Sequence, residues 1–201
     1  MEQKQLCLEV LQDMLDYANR DTEFLNIVTT GDESWVYGYD PEIRVQSSQW
    51  KHSASPRPKK ARQVQSNVKV MLTVFFDSRA MVHHEYTPQG QNINKEYYLE
   101  VLCHLCDVER CKRPDPWTAG TWQLHHDNTP AHSSQLIQTF LAKHNIPVVW
   151  QVSYFPDMAP CDFWLFHHLK TQLKGTRIWV TRWHYMEHNG QAVLHSQRGI
   201  P

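Results

Sequence analysis

The stretch Thr121–His132, TWQLHHDNTPAH, decides the fold, because a strand, a turn and the start of a helix follow one another within it. Its alternating apolar residues Trp122 and Leu124 predict a short buried strand. Pro130 cannot donate to a strand ladder, so the strand is expected to end before it, near Asp127. An acidic residue between a strand and a helix lies where α/β sheets place their chemistry.

Two further aspartates occupy comparable positions in the chain. Asp32 follows the apolar run 24–31, and Asp162 opens a helical pattern that continues to Leu173. A simple turn role stays open for Asp127, because aspartate is common in turns. Together, three carboxylates at the ends of elements predict a divalent-cation site, since Mg²⁺ prefers oxygen ligands and keeps waters that substrate oxygens can replace. Without a cation these carboxylates repel one another, so at least one is expected to have a raised pKa.

Three short motifs around these aspartates resemble the catalytic blocks of mariner-family transposases. They are residues 30–35 (TGDESW), 126–132 (HDNTPAH) and 156–163 (PDMAPCDF). That family separates its second and third aspartates by 34 residues, and here the 34 positions 128–161 lie between Asp127 and Asp162. The likeness extends from Glu2 to about Ile178.

The resemblance implies an α/β chain with the RNase H-like fold, a mixed sheet flanked by helices. It implies metal-dependent DNA cleavage and strand transfer, with Asp32, Asp127 and Asp162 holding two Mg²⁺ or Mn²⁺ ions. It also implies DNA as the partner and the nucleus as the place of action. The chain is expected to correspond to the family's catalytic domain, without the paired helix-turn-helix domains that precede it there. An alternative from another class stays open: a non-catalytic transposon remnant that acts as a DNA-binding or dimerisation module.

The predicted organisation is one catalytic domain at 1–178, with an inserted basic loop at 38–66, and a degenerate or disordered tail at 179–201. The loop carries four basic side chains suited to DNA phosphates: Arg57, Lys59, Lys60 and Arg62. A solvated surface loop is the alternative for such a charge run. The resemblance implies that the insertion also reaches a second subunit, which predicts a homodimer. His132 is a further candidate for contact with DNA phosphate, and an ordinary histidine at a helix start is the alternative for it.

Composition limits the partners and the compartment. The 201 residues have a formal net charge of −1, so any nucleic-acid surface is expected to be local. Five unpatterned cysteines, with no signal peptide or membrane span, are typical of a reducing compartment and predict no membrane partner. Three histidine pairs invite a zinc hypothesis, but their spacing fits no common ligand motif and adjacent residues on a strand point to opposite faces. The pairs are His83–His84, His125–His126 and His167–His168.

The remaining pattern predicts a meander of three strands, followed by alternating helices and strands. Residues 68–76 are expected as a central strand and residues 81–86 as its antiparallel partner, with a turn at Asp77. Asn94 is expected to cap a helix that ends at about Lys112. This helix is expected to bury one apolar face, formed by Tyr98, Val101, Leu102 and Leu105.

Overall fold

The computed structural model describes residues 2–21, 23–48, 50–52, 54–56, 63–152 and 155–178. The described helices are α1 (Glu2–Arg20), α2 (Phe24–Ile27), α3 (Lys95–Lys112), α4 (Pro114–Ala119), α5 (Gln135–Lys143) and α6 (His167–Leu173). The strands are β1 (Val28–Tyr37), β2 (Lys69–Phe76), β3 (Met81–Tyr86), β4 (Gln123–His125) and β5 (Val148–Val149). A 3₁₀ turn at Pro156–Met158 and a π-helix at Cys161–Phe166 precede α6. Among the described helices, none is both long and apolar enough to cross a membrane.

The sheet has five strands in the order β3-β2-β1-β4-β5. Strand β4 is parallel to both β1 and β5, whereas β2 is antiparallel to β3. The predicted mixed sheet is therefore confirmed, with β1, β2 and β3 side by side in chain order. The strand predicted at 68–76 is β2, an interior strand between β1 and β3, while β1 occupies the middle of the sheet. Local hydrophobicity indicates that a strand is buried, but it does not reveal which strands flank it.

The segment before Asp32 departs from the predicted strand. Residues 24–27 form the short helix α2, and β1 begins at Val28 and continues through Asp32 to Tyr37. A short apolar run does not by itself distinguish a strand from a buried helical turn. Asp32 is thus an internal residue of the central strand, and the prediction that it lies at the end of an element is wrong.

Helix α3 contributes its apolar face to the hydrophobic core, as predicted. Asn94 caps the helix, because its Oδ1 accepts a hydrogen bond from the Tyr97 N–H at 2.9 Å. All four residues of the predicted face are buried: Tyr98, Val101, Leu102 and Leu105. They share one core cluster with Phe75 of β2, Val82 of β3 and Ile137 of α5. Burial of each such side chain contributes about 1.5–3 kcal/mol, which is ample to hold α3 against the sheet.

A glycine inside β1 lets a side chain of β2 approach closely. A Cβ atom built on Gly31 would lie 2.2 Å from ring atoms of Phe75, far inside van der Waals contact. The Phe75 ring is only 1% exposed and belongs to the core cluster, so it has no free space into which it could move. Glycine at this position therefore allows tight packing next to Asp32.

The turn predicted at Asp77 is confirmed, and its carboxylate has a structural role. Asp77 Oδ1 accepts hydrogen bonds from the N–H groups of Arg79 and Ala80, both at 2.8 Å. Its Oδ2 accepts a third from Arg113 Nε at 2.5 Å. Burial alone would raise the pKa of Asp77, but the bonds from Arg113 and the two backbone groups hold it below its usual range. The Asp77–Arg113 ion pair connects the β2–β3 turn to the end of α3.

The backbone separates into two compact units, one of residues 1–34 and 71–169 and one of residues 35–70 and 170 onwards. Within the second unit, the Gly175 N–H donates to the Asp40 carbonyl at 2.8 Å. The Ile178 N–H likewise donates to the Gly38 carbonyl at 2.7 Å. These bonds join the described residues of the unit that come from distant parts of the sequence.

The predicted domain bounds, 1–178 with an inserted loop at 38–66, stay a prediction. The predicted tail at 179–201 lies outside the described residues. The same holds for the predicted phosphate-binding side chains Arg57, Lys59, Lys60 and Arg62.

Candidate functional site

The pairing of β1 with β4 brings Asp32 and Asp127 to the same level of the sheet. In this parallel ladder Thr30 is opposite His125, and their side chains form a hydrogen bond of 2.9 Å between Oγ1 and Nδ1. Asp32 follows Thr30 by two residues and Asp127 follows His125 by two. Asp127 lies two residues beyond the last residue of β4, so it follows the end of that strand, as predicted. Its charge contributes to the raised pKa of Asp32, as expected for a nearby carboxylate.

The Asp32 carboxyl has a strongly perturbed environment. Burial, the adjacent charge of Glu33 and the smaller contributions of Asp162 and Asp127 together raise its pKa to about 7. The Glu33 N–H donates to Asp32 Oδ1 at 2.7 Å, which opposes the shift without cancelling it. The predicted raised pKa is therefore found at Asp32. Burial is the largest cause of this shift, and the neighbouring carboxylates add to it.

Asp127 is held by its own turn and by a histidine. Its Oδ1 accepts a hydrogen bond from the Thr129 N–H at 3.1 Å and lies 2.7 Å from His132 Nδ1. Burial alone would raise the pKa of Asp127, but His132 and the Thr129 N–H lower it overall. The turn role and the predicted site role are thus compatible, because the bonds that form the turn also orient the carboxylate.

His132 is buried beneath the two aspartates, with only 1% of its side chain exposed. Its ring stacks on Tyr98, with centroids 3.8 Å apart, and on His126, with centroids 5.2 Å apart. Its Nε2 lies 3.4 Å from Glu33 Oε1, at ion-pair distance. Burial alone would lower the pKa of His132, but the hydrogen bonds and charges of Asp127 and Glu33 raise it to about 9.

This burial is inconsistent with the prediction that His132 contacts DNA phosphate directly. Both ring nitrogens face carboxylates of the chain, and the ring packs against Tyr98 and His126. A cation between Asp127 and Glu33 fixes the Asp127 side chain and offsets part of the local negative charge. The geometry therefore gives His132 a positioning role.

A second histidine in the stack stays neutral. Tyr98 Oη lies 2.7 Å from His126 Nδ1, in a hydrogen bond that both groups make in the buried interior. Burial and, to a smaller extent, the charge of the neighbouring His132 lower the pKa of His126 to about 3. His126 therefore packs against a charged ring without adding a second charge.

Asp162 reaches the site from a different local structure than predicted. The predicted α-helix begins as a π-helix over Cys161–Phe166, and Asp162 is its second residue. The Asp162 N–H donates to the Ala159 carbonyl at 2.9 Å, while the residue itself is exposed. Burial and the charge of Asp32 raise the pKa of the neighbouring Cys161 thiol, which also hydrogen-bonds to Thr30. Cys161 thus contacts β1 through Thr30, and the charge of the next residue, Asp162, adds to the raised pKa of Asp32.

A family model described as Transposase (partial DDE domain) matches residues 40–119, between the first two aspartates. The Mariner Mos1 transposase of Drosophila mauritiana is 27% identical over 169 residues, which make up 80% of this chain and 48% of that protein. The chain is related to the mariner-family transposases.

Solved structures of that mariner transposase match the fold of this chain. The Mos1 mariner paired end complex with Mn has a TM-score of 0.79 at 24% identity, covering 95% of this chain and 56% of that one. The complex with Mg also has a TM-score of 0.79 at 24% identity, covering 94% and 54%. The catalytic domain of Mos1 mariner transposase matches with a TM-score of 0.70 at 22% identity, covering 96% and 83%. The predicted RNase H-like fold is confirmed.

The chain spans about half the length of the mariner relative that it matches, and it aligns with the catalytic part. In the candidate site described above, the donors offered to a metal ion are three carboxylates from β1, the β4–α5 turn and the π-helix. Their oxygen atoms do not all lie within 4.8 Å of one another. The donor set still fits Mg²⁺ or Mn²⁺, because both are hard cations that take oxygen ligands and complete their shells with water. The assignment of Asp32, Asp127 and Asp162 as ligands stays a prediction.

Three participants were not found from the sequence: Glu33, Tyr98 and His126. Glu33 is adjacent to Asp32, so an acidic pair at a strand position was the available signal. Tyr98 was identified only as a core residue of α3, since nothing in its helical spacing points to a partner 28 residues away.

Proposed function

We propose that this chain catalyses metal-dependent DNA cleavage and strand transfer, as the catalytic domain of a mariner-type transposase. The observation that carries the proposal is the coupling of three carboxylates from separate elements. The β1–β4 ladder pairs Thr30 with His125, and an aspartate follows each of them by two residues. The charges of Asp127 and Asp162 also add to the raised pKa of Asp32, as expected for neighbouring carboxylates. Similarity to the Mos1 transposase over 80% of the chain supports the same reaction class.

The residues of the chain have distinct roles in this proposal. Asp32, Asp127 and Asp162 hold two Mg²⁺ or Mn²⁺ ions, and His132 holds Asp127 in the orientation that faces Asp32. In a two-metal site the ions activate the attacking water or 3′-hydroxyl and stabilise the leaving oxygen. Because water or a 3′-hydroxyl is the attacking group, the proposal requires no serine, tyrosine or cysteine nucleophile and no covalent protein–DNA intermediate.

Nicking of supercoiled plasmid DNA tests the proposal. With millimolar Mg²⁺ or Mn²⁺ the chain is expected to convert supercoiled plasmid to the open circular form, and EDTA is expected to abolish this. Asp127→Ala should lower the rate by more than about 100-fold, beyond the roughly 10- to 100-fold cost typical of losing a residue that only supports a ligand. The measurement is the initial rate of open-circle formation on an agarose gel.

The matched control is Asp157→Ala, which removes an exposed aspartate from the 3₁₀ turn before the site. This variant should nick at the wild-type rate. Equal rates in wild type and Asp127→Ala would assign the activity to a contaminating nuclease. A folded wild-type chain that does not nick would favour the non-catalytic remnant instead.

DNA as the substrate, a nuclear location and a homodimer complete the proposal. The support for the homodimer comes from exposed apolar side chains within the 38–66 segment. Trp50 is fully exposed, and Val45 and Val64 are 78% and 66% exposed. Large apolar side chains left in water are typical of surfaces that a partner covers.

We expect Trp50→Ser to weaken the dimer. An interface tryptophan commonly contributes about 2 kcal/mol or more, so the dimer dissociation constant should rise by roughly 30-fold or more. Sedimentation velocity over a micromolar concentration series measures this change. Trp150→Ser is the control, because Trp150 is half exposed and lies outside the 38–66 segment. A monomeric wild type, or the same dimer in Trp50→Ser, would contradict the proposed interface.

A further inference from the structure

Two histidines and a glutamate come together where α3 packs on β3. His83 and Glu85 are two residues apart on β3 and therefore share one face of the strand. His104 reaches them from α3. Glu85 Oε2 lies 3.4 Å from His83 Nε2 and 3.1 Å from His104 Nδ1. The ligand atoms of all three side chains lie within 4.8 Å of one another.

We propose that His83, Glu85 and His104 form a binding site for Zn²⁺, separate from the carboxylate site. The reason is the donor set, since imidazole nitrogen suits Zn²⁺ whereas the three aspartates offer only the oxygen ligands preferred by Mg²⁺. Two histidines and one carboxylate leave a fourth position for water, as in zinc sites with three protein ligands.

The spacing of the donor atoms already approaches that of a tetrahedral site. Bonds of about 2.0–2.2 Å at tetrahedral angles place neighbouring ligand atoms about 3.3–3.5 Å apart. The measured separations from Glu85 to the two histidines are 3.4 and 3.1 Å. Zn²⁺ therefore requires only small side-chain movements, with no rearrangement of the backbone.

The elements that carry the three ligands are firmly packed together. Val82, the residue before His83, is 1% exposed and shares the core cluster with Val101 and Leu105 of α3. Lys112 Nζ donates a hydrogen bond to the Val82 carbonyl at 2.6 Å, which fixes the end of the helix to the strand. A site on two such elements loses little conformational entropy when it binds an ion.

The same three groups interact in the metal-free protein. Burial alone would raise the pKa of Glu85, but hydrogen bonds from His83 and His104 hold it below its usual range. Glu85 is thus ionised, as a ligand must be. Zinc affinity is accordingly expected to fall as the pH drops below the range in which histidine is neutral.

Zinc titration of the full chain tests the site. ZnCl₂ is titrated against the protein and a chromophoric chelator, in millimolar Mg²⁺ to saturate the carboxylate site. His104→Gln and Glu85→Gln should each weaken the tightest zinc equivalent by at least 10-fold. His104 is exposed, so its substitution should leave the fold intact, which circular dichroism verifies. With Co²⁺ in place of Zn²⁺, the wild type should show visible absorption bands of tetrahedral cobalt, and both variants should lose them.

Two matched controls complete the experiment. His84→Gln changes the adjacent histidine, which faces the other side of β3 and packs on Tyr86. Asp162→Asn changes the carboxylate site, and both controls should retain wild-type zinc affinity. Wild-type affinity and cobalt spectra in both His104→Gln and Glu85→Gln would overturn the proposal, as would equal loss in His84→Gln.

Discussion

Replacing His132 by alanine is expected to lower the free energy of unfolding of the metal-free protein by about 3–5 kcal/mol, the usual cost of removing one partner from a buried ion pair. The change leaves Asp127 and Glu33 facing each other without the cation that now lies 2.7 and 3.4 Å from them. It also removes the ring contacts that His132 makes with Tyr98 and His126.

The pH dependence of the stability loss in His132→Ala distinguishes the effect of losing the His132 charge from the effect of losing its ring packing. The folded protein raises the pKa of His132 from 6.5 to about 9. Because the folded state holds this proton more tightly, the stabilisation is complete below pH 6.5 and disappears as the pH rises through 9. The decrease in unfolding free energy caused by His132→Ala should therefore be larger at pH 6.5 than above pH 9.

Urea unfolding in EDTA at both pH values measures these differences. His52→Ala is the control, because His52 is exposed, and surface changes usually stay within about 0.5 kcal/mol. The same deficit for His132→Ala at both pH values would mean that packing alone is responsible. The positioning role assigned to the His132 charge would then be wrong.

Mg²⁺ is expected to raise the melting temperature of the wild type, and Asp162→Ala should abolish most of that increase. A divalent ion relieves the repulsion among Asp32, Asp127 and Asp162 and binds only where folding brings them together. At about 100 times its dissociation constant, a ligand of the folded state adds roughly 2.7 kcal/mol to stability. Mg²⁺ is preferred to Mn²⁺ in this test because it discriminates more strongly against the histidine-rich site on β3 and α3.

Thermal melts across a Mg²⁺ series, with and without EDTA, provide the measurement. Asp157→Ala should retain the full Mg²⁺ shift. Since the pKa of Asp32 is about 7, protons compete with the ion, and the shift should shrink as the pH falls below that value. Equal shifts in wild type and Asp162→Ala would show that the ion binds elsewhere, and the proposed metal site would be wrong.

Features set by neighbouring residues were predictable from the sequence. Pro130 marked the end of β4, and Asn94 marked the start of α3, because a missing N–H and a capping oxygen act within one turn of the chain. The spacing of Tyr98, Val101 and Leu105 likewise identified the buried face.

Features set by packing between distant segments were not predictable in the same way. The burial of His132 depends on Tyr98 and His126, which lie on other elements. The π-helical start at Cys161 depends on a side chain that packs against β1, and hydrophobic spacing alone predicts an α-helix there. The zinc hypothesis was directed at adjacent histidines, whereas the cluster in the structure combines alternate residues of β3 with a helix residue 19 positions beyond Glu85.

The shared register of β1 and β4 has a consequence for insertions and deletions. Thr30 and His125 are opposite each other, and each is followed two residues later by an aspartate. A slip of one position between β4 and β1 would reverse every side chain of β4 and move Asp127 out of level with Asp32. Residues can be added or removed between β3 and α3 without altering that alignment. Homologues are therefore expected to vary in length in such connections, and to keep an unchanged residue count from Thr30 to Asp32 and from His125 to Asp127.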